Sequence, residues 1–177
     1  MFDYLKHWRT TGTLVSTSRS TVRKMISYIC FEQTRCLLEL GAGKGAVTHF
    51  LVEHKPLDAH LYVFELLAGF AQELKQKYAD HKNVHIIQDS ADKIPYHLPN
   101  IVFDYCVSVL PLSIMDKKVV HSILDAVAAQ LSYQGLFIQI QYTRRLERLF
   151  SHYFIIDKKD YHFFNVPPAH IYIMRKK

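Results

Sequence analysis

The chain has 177 residues, 49% of them hydrophobic, and no linker-like stretch divides it. This predicts one domain over residues 1–177, and it excludes a membrane-spanning helix because no apolar run is long enough. The N-terminus also lacks the apolar core of a secretory signal. The formal net charge of +6 favours anionic partners, either nucleic acid or the lipids of an inner membrane leaflet.

The cysteines indicate a reducing compartment. Cys30, Cys36 and Cys106 are an odd number without the spacing of metal ligands, and two of them lie in or beside apolar runs. The eleven histidines form no motif typical of a metal site. We therefore predict a cytoplasmic protein without a metal.

The N-terminal residues 1–30 are predicted to be helical. Phe2, Leu5 and Trp8 are three residues apart and could form one apolar stripe between basic residues. We predict that this segment docks on the membrane, since such a helix favours the interface between water and lipid. The alternative is that it covers one edge of the core. Within the segment 1–30, a helix separate from this stripe is predicted over residues 20–28.

The most informative stretch is Leu-Leu-Glu-Leu-Gly-Ala-Gly-Lys-Gly at residues 37–45, an apolar strand that ends in a glycine-rich turn. Gly41, Gly43 and Gly45 let the backbone approach a ligand closely, and the helix that follows offers unpaired amide groups. Glu39 could accept a hydrogen bond from a ligand ammonium group. These residues favour a ligand with an amino-acid end.

Apolar runs alternate with helical patterns along the rest of the chain, which predicts a mostly parallel sheet with helices on both faces. The predicted strands are residues 36–40, 61–64, 84–87, 103–108 and 136–142. The other predicted helices are residues 46–53, 67–77, 117–131 and 144–150. Gly135 is predicted to break the chain before the fifth strand.

The segment from Glu39 to Gly45 resembles the first motif of the class I S-adenosylmethionine-dependent methyltransferases. The resemblance implies a Rossmann-like fold with a seven-stranded sheet, in which residues 150–156 and 169–174 form an antiparallel edge. It implies S-adenosylmethionine as cofactor, with Glu65 on the ribose and Asp89 on the adenine. The other cofactor-binding residues that it implies are Ala42, Leu66, Ser90, Ala91 and Ser108.

A dinucleotide site is the alternative, because Gly41, Gly43 and Ala46 also fit the pattern G-x-G-x-x-G/A. The methyltransferase is favoured because three acids, Glu39, Glu65 and Asp89, come in turn at the ends of the first three predicted strands. The short chain does too, since a dehydrogenase would need a further substrate domain.

Three further segments resemble the soluble bacterial phospholipid N-methyltransferases: residues 11–19, 107–112 and 137–142 together with the run Asn-Val-Pro-Pro-Ala at 165–169. This narrower resemblance implies methylation of the amine of phosphatidylethanolamine or another aminolipid at the membrane surface. The chain departs from the family pattern on the acceptor side, at Thr17, Val109, Gln141 and Thr143.

On the acceptor side, Tyr142 is predicted to orient the amine, with Ser108 and Asn165 as catalytic partners. The resemblance implies that Ser18, Arg19, Leu110, Pro111, Tyr142 and Pro167 bind substrate. Ser18 or Ser20 could instead cap the helix that follows, and Tyr142 could be an ordinary half-buried strand residue.

Three other functions stay open. An RNA adenine methyltransferase fits the basic charge, but its Asn-Pro-Pro-Tyr type motif would follow the fourth strand, where this chain has Ser108 and Pro111. The chain also has no added RNA-binding domain, so nucleic acid is not the predicted partner. A small-molecule methyltransferase and a non-catalytic binding module with the same fold are the others.

Overall fold

The computed structural model describes residues 17–163 and 167–177 of the chain. The strands in this part are β1 Cys36–Leu40, β2 His60–Phe64, β3 Val84–Ile87, β4 Phe103–Ser108, β5 Leu131–Gln141, β6 Phe154–His162 and β7 Ala169–Lys176. The helices are α1 Arg19–Ile26, α2 Ala46–His54, α3 Ala68–Lys77, α4 Ile94–His97, α5 Lys117–Gln130 and α6 Glu147–Tyr153. Short 3-10 turns cover Phe31–Gln33, Ala91–Lys93 and Leu112–Ile114.

The strands form one sheet in the order β3-β2-β1-β4-β5-β7-β6. Strands β1 to β5 are parallel, and β7 lies antiparallel between β5 and β6. The strand order reverses at β1, which has β2 on one side and β4 on the other. This arrangement confirms the predicted Rossmann-like fold with an antiparallel edge. Sheets of this kind bind ligands beyond the carboxyl ends of the strands at the reversal point, which here are the ends of β1 and β4.

Helices cover both faces of the sheet because the strand side chains alternate between two buried clusters. On one face, Leu38 and Leu40 of β1 pack with residues of α5 and α6. On the other face, Leu37 packs with residues of α1, α2 and α3. None of the helices in the described ranges has the length and hydrophobicity needed to span a bilayer.

The predicted break at Gly135 is wrong, since this glycine lies inside β5. The pairing of β4 with β5 shifts register between Phe103 and Tyr105. A Cβ at Gly135 would lie 2.7 Å from the carbonyl oxygen of Asp104. Glycine therefore permits a close approach of two strands here and does not end one.

The boundary between α6 and β6 also differs from the prediction. Residues 150–153 were expected to begin a strand, but they belong to the helix α6, in which the Phe150 amide donates to the Leu146 carbonyl at 2.8 Å. Phe150 is fully buried against the core. Tertiary packing therefore extends the helix through an aromatic stretch that favours strand on local propensity.

Candidate functional site

The strand ends lie in one row across the sheet. Leu40 pairs with Phe64 on one side and with Ser108 on the other. Phe64 in turn pairs with Ile87, and Ser108 pairs with Gln139. The residues that follow these positions therefore share one edge, which gathers the glycine turn and the predicted acids around the reversal point of the sheet.

The glycine turn connects β1 to α2 with a left-handed backbone at Gly41 (φ +78°), Gly43 (φ +54°) and Gly45 (φ +80°). At Gly41 a Cβ would lie 2.7 Å from Cδ2 of Leu110, so the turn packs tightly against the loop after β4. At Gly43 a Cβ would have no atom within 4 Å. Ala42 between them is buried. The turn is thus closed at its start and open in its middle.

Glu65 follows β2 and fastens the glycine turn. Its Oε2 accepts from the Gly43 amide at 2.7 Å, and its Oε1 accepts from the Leu67 amide at 2.8 Å. The residue is only 6% exposed, whereas its neighbour Leu66 is 49% exposed. Glu65 therefore presents a fixed carboxylate beside the open part of the turn.

Glu39 is fully buried on β1 beneath the turn. Among the described residues neither carboxylate oxygen has a hydrogen bond of good geometry, and neither does the hydroxyl of the neighbouring Thr48. The hydroxyl and the amide of Thr48 nevertheless lie close enough to the carboxyl group to act on its pKa. Burial raises the pKa of Glu39 to about 8; Thr48 lowers it in part, and the charge of Glu65 raises it further. A buried carboxyl group without a partner is costly, so this site suits a cationic ligand group.

The titration of Glu39 gives a testable pH dependence. The pKa is about 8 in the folded chain and near 4.5 when unfolded, so ionisation of the unfolded chain lowers the free energy of unfolding as pH rises between these values. Glu39→Gln cannot ionise and therefore avoids this loss. Relative to the parent, its free energy of unfolding should rise by about 3 to 5 kcal/mol between pH 4.5 and about pH 8. Urea unfolding at several pH values measures this difference.

Glu32→Gln, at an exposed position, is the control for the loss of one carboxyl group. A difference between Glu39→Gln and the parent that does not change with pH would show that Glu39 titrates normally.

Asp89 follows β3 and is engaged on both oxygens. Its Oδ1 accepts from the Ser90 amide at 2.7 Å, and its Oδ2 lies 2.7 Å from Nε2 of His97 in α4. The hydrogen bond to His97 lowers the pKa of Asp89, and the Ser90 amide lowers it further. Ala91, two residues after Asp89, is buried. No sequence pattern indicated His97, since the short turn Ala91–Lys93 is what brings it back to Asp89.

The loop after β4 is held by buried polar side chains. The Leu110 amide donates to Oγ of the fully buried Ser108 at 3.3 Å. The Leu110 carbonyl accepts from Nε2 of Gln139 at 3.0 Å and from Nε2 of Gln141 at 3.2 Å. Ser108 and Leu110 thus lie together beside Gly41, and Pro111 follows them. The two glutamines were not among the predicted site residues, although the departure at Gln141 marked the position.

Tyr142 follows the end of β5, and its half-buried ring packs against the cluster that contains α1. Ser18 caps α1, where its Oγ accepts from the Thr21 amide at 3.2 Å, so the capping interpretation is confirmed. Arg19 and Pro167 are exposed. Asn165 and the stripe of Phe2, Leu5 and Trp8 lie outside the described residues. In the described ranges no three potential ligands come together in a metal-binding group.

Solved structures share this fold. TrmN from Thermus thermophilus superposes with a TM-score of 0.75 at 10% identity over 90% of this chain, which spans 49% of the TrmN chain. The PH0226 protein from Pyrococcus horikoshii has a TM-score of 0.71 at 14% identity, covering 88% of this chain and 87% of that protein. At such low identity these similarities establish the fold alone.

Sequence relatives are more specific. The ornithine lipid N-methyltransferase of Singulisphaera acidiphila is 26% identical over 181 residues, which cover 97% of this chain and 92% of the relative. The model of the methyltransferase domain family matches residues 37–135, from β1 into β5 and including the glycine turn. Because that match covers more than half of the chain, the protein belongs to the methyltransferase domain family.

Proposed function

We propose that the protein transfers a methyl group from S-adenosylmethionine to the amine of a phospholipid or related aminolipid at a membrane surface. The observation that carries the proposal is the similarity to the ornithine lipid N-methyltransferase, which runs over 97% of the chain. That similarity includes the segments before β1 and after β5, which lie outside the family match. The protein would act in the cytoplasm, peripherally on the inner face of the membrane.

The family and the fold imply S-adenosylmethionine as methyl donor, and the residues at the edge of the sheet fit it. Glu39 has no hydrogen bond of good geometry among the described residues and would face the ammonium group of the donor. The open side of Gly43 leaves room for its amino-acid end. Glu65 would accept from the ribose hydroxyls, and Asp89 would accept from the adenine amino group. The residues that would line these subsites are Gly41, Ala42, Gly45, Leu66, Ser90, Ala91 and Ser108.

When bound, this donor supplies a methyl group on a positively charged sulfur, and the residues of the chain must present an unprotonated amine to it. An amine like that of lysine has a pKa near 10.4, so taking it neutral at pH 7 costs about 4 to 5 kcal/mol. Desolvation against the apolar side chain of Leu110 and the ring of Tyr142 lowers this cost by disfavouring the ammonium form. The larger contribution to the reaction rate comes from holding the amine in line with the bond between the methyl group and the sulfur.

Tyr142 is the residue we assign to orient the amine. Its hydroxyl would accept from the amine, and its ring would face the developing positive charge. Ser108 and Asn165 would assist, and Ser18, Arg19, Pro111 and Pro167 would contact the rest of the substrate. Because a guanidinium group is well shaped for a phosphate, Arg19 is the candidate for a lipid phosphate.

We expect Tyr142→Phe to lower kcat by about tenfold, since one orienting hydrogen bond contributes about 1 kcal/mol or slightly more. Affinity for the cofactor should not change. Steady-state kinetics and calorimetric titration measure the two effects, with Tyr133→Phe, which removes a hydroxyl from an 83% exposed ring, as the control. An unchanged kcat would remove Tyr142 from the acceptor site.

The proposal as a whole is tested by turnover of methyl-labelled S-adenosylmethionine with three acceptors: vesicles containing phosphatidylethanolamine, ornithine lipid in the same vesicles, and unmodified RNA. Label should enter an aminolipid. Incorporation into RNA alone would replace the proposal with an RNA methyltransferase. Cofactor binding without transfer to any acceptor, a small-molecule amine panel included, would favour a non-catalytic module.

A further inference from the structure

The outer strands carry exposed aromatic side chains to the edge of the sheet that holds the candidate site. Gln141 at the end of β5 pairs with His170 of β7, which pairs with Tyr161 of β6. Tyr161 is 46% exposed and Phe163 is 70% exposed, and their rings meet edge to face with centroids 4.5 Å apart. The ring of His170 lies 4.8 Å from that of Tyr161. The aromatic pair therefore lies at the same edge of the sheet as Gln141, whose side chain holds the loop after β4.

Three arginines follow β5 at the same edge of the sheet. They are Arg144, Arg145 and Arg148, in the segment after Tyr142. Arg144 is close enough to His170 to help burial lower the pKa of that histidine, and it pairs with Glu147 at 3.2 Å. Glu147 also pairs with Lys159 of β6 at 2.6 Å, which ties α6 to the outer strand. Arg145 and Arg148 are exposed and make no ion pair with any residue of the described ranges.

We infer that Arg145, Arg148, Tyr161 and Phe163 form a rim that docks the protein on an anionic lipid bilayer; this inference rests on the proposed function. Exposed aromatic rings favour the boundary between water and lipid, and nearby basic side chains are attracted to anionic head groups. The rim lies at the carboxyl edge of the sheet, next to Tyr142. Docking there would turn the acceptor side toward the bilayer, so that a lipid amine could reach it without leaving the membrane.

The charges of the rim fit this partner. The opposing carboxylate of Glu147 is already engaged by Arg144 and Lys159. Asp160 of β6 is engaged by Lys24 at 3.1 Å and by the hydroxyl of Tyr28. Both nearby acids are therefore compensated within the fold, and the cationic groups of Arg145 and Arg148 remain available to phosphate groups outside it.

Co-sedimentation of the full chain with vesicles tests the inference. The vesicles contain either phosphatidylcholine alone or phosphatidylcholine and phosphatidylglycerol in equal parts. We expect binding to the second kind only, weakening as salt is added. The charge-reversed variant R145E/R148E should partition at least about tenfold less, from the attraction of each basic residue to an anionic surface. The variant Y161S/F163S should also lose binding.

Two controls carry matched changes at other exposed positions. The variant K75E/K82E reverses two charges outside the rim, on α3 and before β3, and Y133S removes an 83% exposed aromatic ring from the start of β5. Both should sediment like the parent. Equal binding by parent and rim variants would overturn the inference, as would rim variants that lose binding to RNA but keep binding to vesicles.

Calorimetric titration with S-adenosylmethionine separates this inference from the proposed function. Rim variants that keep the parent's heat of cofactor binding and its thermal midpoint, while losing the vesicles, support the rim. If the single changes R148E and F163S already lower vesicle binding, misfolding of the double variants is excluded as the cause. Failure to methylate any lipid, with rim-dependent vesicle binding intact, would reject the proposed function and leave the docking surface standing.

Discussion

Replacing Glu65 with alanine is expected to lower the affinity for S-adenosylmethionine by about a hundredfold or more. A hydrogen bond to a charged group contributes about 1.5 to 3 kcal/mol, and Glu65 would make two to the ribose. The change also frees the Gly43 and Leu67 amides, which the carboxylate now accepts from at 2.7 and 2.8 Å. The loss therefore combines missing ligand contacts with a loosened glycine turn. Isothermal titration calorimetry measures it.

A graded series makes this prediction sharper. Glu65→Gln keeps one acceptor oxygen but turns an NH2 group toward one of the two backbone amides, so its affinity should fall between those of the parent and the alanine variant. Glu73→Ala, at an exposed position of α3, is the control and should bind like the parent. Parent-like affinity of Glu65→Ala would remove Glu65 from the cofactor site and with it the assignment of the ribose subsite.

The second large effect is expected from the glycine turn, where two alanine substitutions should separate folding from binding. Gly41→Ala places a methyl group 2.7 Å from Leu110 at a φ of +78°. Left-handed strain of about 1 to 2 kcal/mol and overpacking of about 1 to 3 kcal/mol then add. We expect the thermal midpoint to fall by about 10 °C.

Gly43→Ala meets no atom within 4 Å, so its cost to folding is the strain of the left-handed backbone alone. The thermal midpoint should fall by only a few degrees, on the order of 2 to 4 °C per kcal/mol. Its methyl group stands on the open side of the turn, and cofactor affinity should drop sharply. Calorimetric titration and thermal unfolding of both variants give the two quantities.

Gly69→Ala is the matched control, because Gly69 lies in α3, also without an atom within 4 Å, and has no positive φ. It should be neutral or slightly stabilising, since alanine favours helix over glycine by about 0.5 to 1 kcal/mol. Unimpaired cofactor binding by Gly43→Ala would mean that the ligand does not approach this side of the turn.

The central sheet could be predicted from local patterns. Strands β1, β3 and β4 begin and end where the apolar runs do. These strands are short, mostly apolar and bounded by polar or turn-forming residues, so propensity and burial agree. The position of the glycine turn and of Glu65 and Asp89 at strand ends followed from the same runs, because parallel strands bring their carboxyl ends to one edge.

The features that the sequence did not predict depend on contacts between residues of different segments. Gly135 looks like a strand break, but it admits the close approach of β4 and β5. His97 reaches Asp89 only after a 3-10 turn, and Gln139 and Gln141 reach the Leu110 carbonyl from another strand. No single-segment pattern contains these pairings. They are set by how neighbouring elements pack once the sheet has formed.

The position of β7 has a consequence for local stability. This strand follows β5 and β6 along the chain, yet it lies between them, and in the described ranges β6 pairs with β7 alone. Transient opening of β7 would therefore release β6 from the sheet at the same moment. Amide protons of the two strands should exchange with solvent as one cooperative unit, separate from that of the glycine turn. The outer pair of strands and the glycine turn would thus differ in the free energy needed to open them.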